Sequence, residues 1–222
     1  MAESQDEQRY YPNKFARIYL TAIEDLVGKN GLAAVLNLAG LGHLVDNYPP
    51  DDLNGEFSFD DFAGLNQAIE DIYGQQGARG LCLRAGRATF TYLVEDGTLM
   101  EGLPEVAFGF LPLGAKIKVA LASMAEAFSR LSDETDRLEE DEDNFIYIID
   151  DCPICWGRNS EVPICYGATG ILQQSLAWAS ERQTFDVAET ECIAKGDDTC
   201  TFVIAREPLA PEEDTASREP ET

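Results

Sequence analysis

The stretch that decides the fold is TFDVAETECIAKGDDTCTFVIA, residues 184–205. Residues 184–191 and 201–205 are rich in β-branched and aromatic side chains, which predicts two strands, and the Lys195-Gly-Asp-Asp segment between them is typical of a turn. A turn centred on Gly196 makes the two strands a hairpin. Cys192 and Cys200 then lie across from each other on neighbouring strands, where two thiolates repel unless a cation or a disulfide joins them.

Most of the cysteines cluster around this hairpin. Five of the six lie in the last third of the chain, namely Cys152, Cys155, Cys165, Cys192 and Cys200. Cys165 follows Pro163 at the start of a predicted helix, where the positive end of the helix dipole favours a thiolate. Zinc is a common intracellular ion for such a group of thiolates. We therefore predict a site for zinc or a similar metal in this cluster.

The fourth ligand is left open by the residues alone. A carboxylate can complete a tetrahedral zinc site, and Glu189 lies three residues before Cys192. Strand alternation puts these two on opposite faces, so this choice requires a bulge or an early strand end. The competing choice is Cys152 and Cys155, whose CxxC spacing suits a metal knuckle or a thiol–disulfide redox pair, while ordinary buried cysteines need no metal. Cys82, alone in an apolar helix, is predicted to be a core residue.

The rest of the carboxyl-terminal part predicts one more strand and one helix. Residues 144–149, NFIYII, are typical of a strand buried on both faces. Residues 163–180 predict a helix with a small apolar face made of Ala168, Leu172, Leu176 and Ala179. Together with the hairpin, these elements predict a small α/β module.

The amino-terminal part is predicted to be a helical bundle. Apolar residues at helical spacing predict a first helix that Pro12 opens and that Gly28 and Gly31 stop. Further helical segments are residues 32–41, 59–73 and 77–93. The clearest helix spans residues 113–131, where one apolar stripe lies along a single face: Ile117, Leu121, Met124, Phe128 and Leu131. The predicted fold class is α/β, in the α+β sense, with the bundle packed on a small sheet that carries a metal-bound hairpin.

Acidic runs mark the boundaries of these parts. Residues 133–143 carry eight acids against one arginine and predict a solvated linker. Residues 207–222 mix Pro, Glu, Asp, Ser and Thr and, like residues 1–12, predict a disordered tail. Neither acidic run is expected to contribute to a site. The helical part then covers residues 13–132 and the metal-binding part residues 144–206.

The overall charge excludes two classes of partner. The chain has 16 Lys and Arg against 41 Asp and Glu, a formal charge of −25. Nucleic acids and anionic membrane surfaces are bound through basic patches, so neither is an expected partner. No stretch approaches the ~18 uncharged apolar residues of a membrane-spanning helix, and the first residues lack the pattern of a signal peptide. We expect a cytoplasmic protein, in which cysteines are reduced or bind metal.

Two motifs resemble a known family. The segment Cys165-Tyr-Gly-Ala-Thr-Gly, followed by a helix and then by Glu189-Thr-Glu-Cys-Ile-Ala-Lys-Gly-Asp-Asp-Thr-Cys200, resembles the 4-vinyl reductase domain. Gly77-Ala-Arg-Gly-Leu-Cys-Leu-Arg-Ala-Gly-Arg87 is similar to an earlier glycine-bearing helix of that family. The family includes bacteriochlorophyll-biosynthesis proteins, sensory domains of phenol-responsive transcription activators and stand-alone proteins. Vesicle-tethering subunits are distant relatives.

The resemblance, which extends over residues 13–206, implies a structural zinc and a hydrophobic pocket. In the phenol sensors this pattern holds zinc, which carries over onto Cys165, Glu189, Cys192 and Cys200. The pair Cys152 and Cys155 is an extra that the phenol sensors lack. The pocket is implied between the helical part and the sheet, with aromatic walls from Phe145, Tyr147, Trp156, Tyr166 and Trp178. The phenol sensors anchor their ligand with a His and a Trp, and this sequence has no matching pair.

The residues favour binding over catalysis. No GxGxxG motif follows a predicted strand, there is no phosphate loop, and no catalytic residue is predicted. The single histidine, His43, suits a packed or helix-terminal position; its other uses are as a ligand of a tetrapyrrole metal or as a general base. The expected function is a zinc-stabilised sensor or carrier for a small hydrophobic ligand, either a tetrapyrrole or an aromatic molecule. The alternatives are a vinyl reductase with an external reductant and an interaction module that forms a homodimer.

Overall fold

The computed structural model describes residues 8–99 and 110–210. Over these residues, four helices and two small sheets form the mixed α and β fold that the sequence predicts. The helices are α1 (Asn13–Leu38), α2 (Phe59–Glu95), α3 (Leu113–Leu131) and α4 (Tyr166–Ala179). The strands are β1 (Tyr10–Pro12), β2 (Gly55–Ser58), β3 (Asp136–Glu140), β4 (Asn144–Ile149), β5 (Val187–Glu191) and β6 (Cys200–Ala205). None of the described helices has the length and apolar character needed to cross a membrane.

Both long helices bend at a glycine. Gly28 in α1 has a φ of 73° and Gly74 in α2 a φ of 68°, left-handed values that glycine adopts without strain. The helices predicted over residues 59–73 and 77–93 are therefore one element, α2, with a kink between them. The helix α1 likewise continues beyond Gly28 instead of stopping there.

The helix α3 confirms the amphipathic pattern of residues 113–131. The side chains of Ile117, Leu121, Met124 and Phe128 are all buried. They face α4 and the carboxyl-terminal sheet, on which α3 packs. One apolar stripe at a period of 3.6 residues therefore located this helix from the sequence.

The carboxyl-terminal sheet has the strand order β3-β4-β6-β5 and is antiparallel throughout. The central strand β4 buries Phe145 and Tyr147, which are 0% and 2% exposed. β5 and β6 form the predicted hairpin, in which Val187 pairs with Ile204. A short 3₁₀ turn at Ile193–Lys195 connects them.

The helices α2 and α4 touch backbone to backbone. A Cβ atom added at Gly86 would lie 2.1 Å from the Gly167 carbonyl oxygen, and one added at Gly170 would lie 2.2 Å from the Leu83 carbonyl oxygen. Real Cβ atoms do not come this close to another heavy atom, so only glycine permits the crossing. The glycines of the two family-like motifs thus meet at one contact.

Two segments differ from the expectation from sequence. Residues 133–143, predicted to be a solvated linker, contain the strand β3, which pairs with β4 along its whole length. Within residues 1–12, predicted to be a disordered tail, Tyr10–Pro12 form β1 and pair with β2. An edge strand needs only alternate side chains to face inward, so an acidic composition hides it. The predicted tails at residues 1–7 and 211–222 lie outside the described residues.

Candidate functional site

Five buried cysteine side chains meet beside the hairpin, in a group we call the cysteine cluster. The Cys155 Sγ atom lies 3.1 Å from that of Cys165, 3.4 Å from that of Cys192 and 3.5 Å from that of Cys200. The Cys152 Sγ atom lies 3.4 Å from that of Cys165. None of the five forms a disulfide. Three separate segments supply them, namely the loop after β4, the first residue before α4 and the hairpin.

A carboxylate joins the cysteine cluster. The Glu189 Oε2 atom accepts a hydrogen bond from the Cys165 amide at 2.9 Å, whereas its Oε1 atom is buried without a hydrogen-bond partner. The register of β5 against β6 shifts between Glu189 and Glu191, where β5 ends. This irregularity is the interruption that Glu189 and Cys192 need in order to face the same side.

The donor atoms form two overlapping groups, in each of which all four donors lie within 4.8 Å of one another. One group is Cys152, Cys155, Cys165 and Cys200, and the other is Cys165, Glu189, Cys192 and Cys200. Neighbouring sulfurs 3.1 to 3.6 Å apart suit one ion with metal–sulfur bonds of about 2.3 Å. The thiolates around an iron–sulfur cluster are held further apart by the cluster itself. The buried cysteines could therefore bind a single metal ion, and Cys165 and Cys200 belong to both groups.

Burial makes negative charge costly in the cysteine cluster. Burial raises the pKa of the Glu189 carboxyl to about 9, and the charge of Cys192 adds to this effect. Burial also raises the pKa of the Cys152 thiol to about 12. Hydrogen bonds from Cys152 and the neighbouring thiols lower the pKa of Cys155, which makes it the favoured thiolate. A divalent cation would stabilise several thiolates and the carboxylate at once.

The segment that carries Cys152 and Cys155, residues 150–164, is tied to α2 by Arg158; we call it the cysteine loop. The Arg158 guanidinium donates to Glu70 Oε2 at 2.7 Å and to Gln67 Oε1 at 3.1 Å, both in α2. The Arg158 side chain is only 8% exposed. This buried ion pair fixes the cysteine loop against the helical part.

A cavity of about 50 Å³ lies next to the cysteine cluster, between the four helices and the sheet. Its aromatic lining consists of Tyr11, Phe15, Tyr19, Phe62, Phe128 and Tyr147. Cys152 lines it as well. The cavity and the cysteine cluster therefore share a wall.

Of the five aromatic residues predicted to line a pocket, Tyr147 lines this cavity. Phe145 also lies in β4 but is covered by the Arg206 guanidinium, 4.5 Å from its ring centroid. Tyr166 lines a separate groove between α2, α4 and β5. The correction follows from strand geometry, because the pairing of β4 and the end of α4 decide the direction of each ring, which composition does not reveal.

The two tryptophans predicted for the pocket also lie outside the cavity. The Trp156 ring packs edge-on against Phe59, with centroids 5.6 Å apart. The Trp178 ring packs against Phe90 at 6.3 Å. Both therefore contribute to packing between helices and loops and do not line the cavity wall.

Two acids of the supposed linker line the cavity instead. Glu134 is 5% exposed and accepts a hydrogen bond from the Tyr11 hydroxyl. Asp136 accepts one from the Tyr147 hydroxyl at 2.5 Å through Oδ2, whereas its Oδ1 atom is buried without a partner. Burial raises the pKa of Asp136 to about 7 and that of Glu134 well above its usual range. The only sequence signal was their spacing of two, which puts both on one side of an extended chain.

The single histidine lies away from both features. His43 is exposed in the 3₁₀ turn Gly42–Leu44, which follows α1. It belongs neither to the lining of the cavity nor to the groups that could hold a metal. Its predicted helix-terminal position agrees with this placement.

The fold is similar to solved H-NOX structures. An Fe(II) unliganded H-NOX protein from K. algicida has a TM-score of 0.56 at 12% identity, covering 91% of this chain and 98% of that chain. An H-NOX protein from S. oneidensis in the Fe(II)NO ligation state has a TM-score of 0.52 at 15% identity, covering 87% and 98%. A structure that probes haem distortion in the H-NOX family has a TM-score of 0.57 at 12% identity, covering 91% and 98%. Such low identities establish the fold alone.

Sequence comparison identifies the carboxyl-terminal part. No curated protein has a significant match to the chain. The family model of the 4-vinyl reductase domain matches residues 145–206, which hold β4, α4, the hairpin and the whole cysteine cluster. Over these residues the chain therefore matches the 4-vinyl reductase domain family, as the resemblance of its sequence predicted.

Proposed function

We propose that this protein is a metal-stabilised sensor or carrier that binds a small molecule in the cavity between its helices and its sheet. The observation that carries the proposal is the cavity, which is walled by aromatic rings and adjoins the cysteine cluster. Sites for small molecules are mostly apolar, with a few placed polar groups. The match to the 4-vinyl reductase domain and the H-NOX-like fold both support a ligand-binding role.

The proposed metal is zinc, held by Cys165, Glu189, Cys192 and Cys200. The unpartnered, buried Oε1 atom of Glu189 supports this set, because a metal ion would satisfy it. Four protein ligands leave no open position, so the ion is structural. It fastens α4 to the hairpin. The second group of donors, which uses Cys152 and Cys155, is the competing set.

A haem or another tetrapyrrole does not fit this chain. Sites for drug-sized ligands measure about 300–1,000 Å³, and the cavity measures about 50 Å³. The only histidine, His43, is exposed and remote from the cavity. The tyrosine hydroxyls of the wall already donate to carboxyl groups. The proposed ligand is therefore a compact molecule of a few heavy atoms.

Ligand-observed NMR titrations with neutral compounds test this function. We expect saturable binding of at least one of 1-propanol, phenol and benzyl alcohol. Ala168→Leu adds a side chain to the cavity lining and should weaken that binding at least tenfold. The matched control Ala122→Leu changes an exposed residue of α3 and should leave binding unchanged. Absence of saturable binding by all three compounds, or equal binding by Ala168→Leu, would refute the proposed function.

A further inference from the structure

Two carboxyl groups lie in the wall of the cavity without a basic partner. Glu134 and Asp136 are the charged residues of the described lining, and neither takes part in a salt bridge between described residues. Glu134 is 5% exposed, and Oδ1 of Asp136 is buried without a hydrogen-bond partner. A buried carboxylate is costly unless it is protonated or paired. The two groups therefore either retain protons or accept a cation.

The tyrosine hydroxyls decide which hydrogen bonds a ligand can make. Tyr11 donates to Glu134, and Tyr147 donates to Oδ2 of Asp136. Each hydroxyl has one proton, so neither can donate to a ligand while these bonds persist. The unpartnered Oδ1 atom of Asp136 is an acceptor when the group is ionised. A molecule that binds to the ionised carboxyl must therefore bring its own hydrogen-bond donor.

Aromatic rings form much of the remaining wall. Tyr19 and Phe62 are stacked at 4.9 Å, and Phe15 and Phe128 meet edge-on at 5.4 Å. The faces of such rings attract organic cations, more strongly when water is excluded. A metal ion would instead need several oxygen ligands, and the groups of described residues that could hold one include neither of the two acids. The wall therefore favours an organic cation over a metal ion.

We propose that the ligand of this cavity is a small protonated amine. Its ammonium group donates to Oδ1 of Asp136, with Glu134 as a second anion nearby, and its short apolar body lies against the aromatic rings. The inference rests on the proposed function, since it assumes that the cavity is a binding site. A volume of about 50 Å³ restricts the amine to a few heavy atoms. The net charge of −25 also favours the approach of a cation.

A pair of nearly isosteric compounds tests the charge directly. Propylamine and 1-propanol are titrated into the full chain by ligand-observed NMR at about pH 8, where an alkylamine stays protonated like the Lys side chain. We expect propylamine to bind at least tenfold more tightly. Asp136→Asn and, independently, Glu134→Gln should each weaken propylamine binding at least tenfold and change 1-propanol binding less than twofold. The control Glu139→Gln alters an exposed residue of the same strand β3 and should change neither.

The outcomes separate this inference from the proposed function. If 1-propanol binds as tightly as propylamine, or if both folded carboxyl variants keep their propylamine affinity, the amine inference is wrong while the cavity remains a binding site. If neither compound binds, the amine inference is also wrong. The proposed function then depends on the neutral aromatic compounds of its own test.

Discussion

Gly86 of α2 and Gly167 of α4 lie in direct backbone contact: a Cβ atom at Gly86 would stand 2.1 Å from the Gly167 carbonyl oxygen and 3.0 Å from its carbonyl carbon. Because the neighbouring atoms belong to the backbone, they cannot turn aside as a side chain can. The contact sets the distance between the two helices that enclose the cavity and that carry Cys165 at their junction with the cysteine cluster.

We expect Gly86→Ala to destabilise the protein by about 3 kcal/mol or more, since overpacking against backbone forces the helices apart. The matched control is Gly80→Ala in the same helix, where nothing lies within 4 Å of the added Cβ. This control should be neutral or stabilising by up to about 1 kcal/mol, because alanine favours the helix. Urea unfolding measures both values. Equal stability of the two variants would contradict the backbone contact.

We expect about one zinc ion per chain, which Cys165→Ala and Cys200→Ala each abolish, because both residues belong to both donor groups. The melting temperature should fall by on the order of 10 °C, since a structural metal contributes its binding free energy to folding. Elemental analysis and thermal melting with and without chelator measure this. Cys82→Ala is the control, a buried cysteine outside the cluster.

A second comparison decides between the two donor groups. Glu189→Ala should remove the ion if Glu189 is a ligand, and Cys152→Ala should leave it bound. The opposite result would assign the ion to the group that contains Cys152 and Cys155. No stoichiometric metal in freshly isolated protein, with unchanged melting in chelator, would exclude a structural metal altogether.

Stability should fall as the pH rises from about 4 to about 7. The pKa of Asp136 is raised from 3.8 to about 7 by burial, with the charge of Asp150 adding and the Tyr147 hydrogen bond opposing. Within this window the folded carboxyl keeps a proton that the unfolded chain has released, so unfolding becomes easier with increasing pH. Asp136→Asn should flatten this slope by about 2 kcal/mol across the window. Urea unfolding at several pH values measures the slope, and Glu139→Gln should retain it.

Arg158→Ala should cost about 2–4 kcal/mol, because it leaves the partner of a mostly buried ion pair uncompensated. It also frees the cysteine loop from Glu70 and Gln67. Arg206→Ala is a control with a more exposed ion pair, whose Arg206 and Glu140 side chains are 31% and 36% exposed. It should cost about 1 kcal/mol or less. Chemical unfolding with constant metal content compares the two, and equal costs would contradict the role of Arg158.

The sequence predicted the elements whose pattern is local. The α3 helix and the strand β4 have the predicted bounds, because the apolar period of residues 113–131 and the unbroken apolar run at 144–149 each suit one structure only. The bulge that Glu189 requires was also deduced, from alternation alone. The meeting of the cysteines followed from the hairpin turn.

The sequence did not predict which side chains line the cavity. Glu134 and Asp136 belong to a run whose charge is typical of solvated chain, and only the pairing of β3 with β4 turns them inward. Conversely, Trp156 and Trp178 are large aromatic residues near the sheet in sequence, yet their rings pack on Phe59 and Phe90. Direction depends on partners distant along the chain, which local pattern does not contain.

Cys152 touches both the cavity and the cysteine cluster. A guest that displaces this side chain would change the surroundings of the ion, and thermodynamic reciprocity then requires the ion to alter the affinity for that guest by the same factor. Metal content would in that case act as a second input to the same readout, so that one molecule reports on two chemical signals.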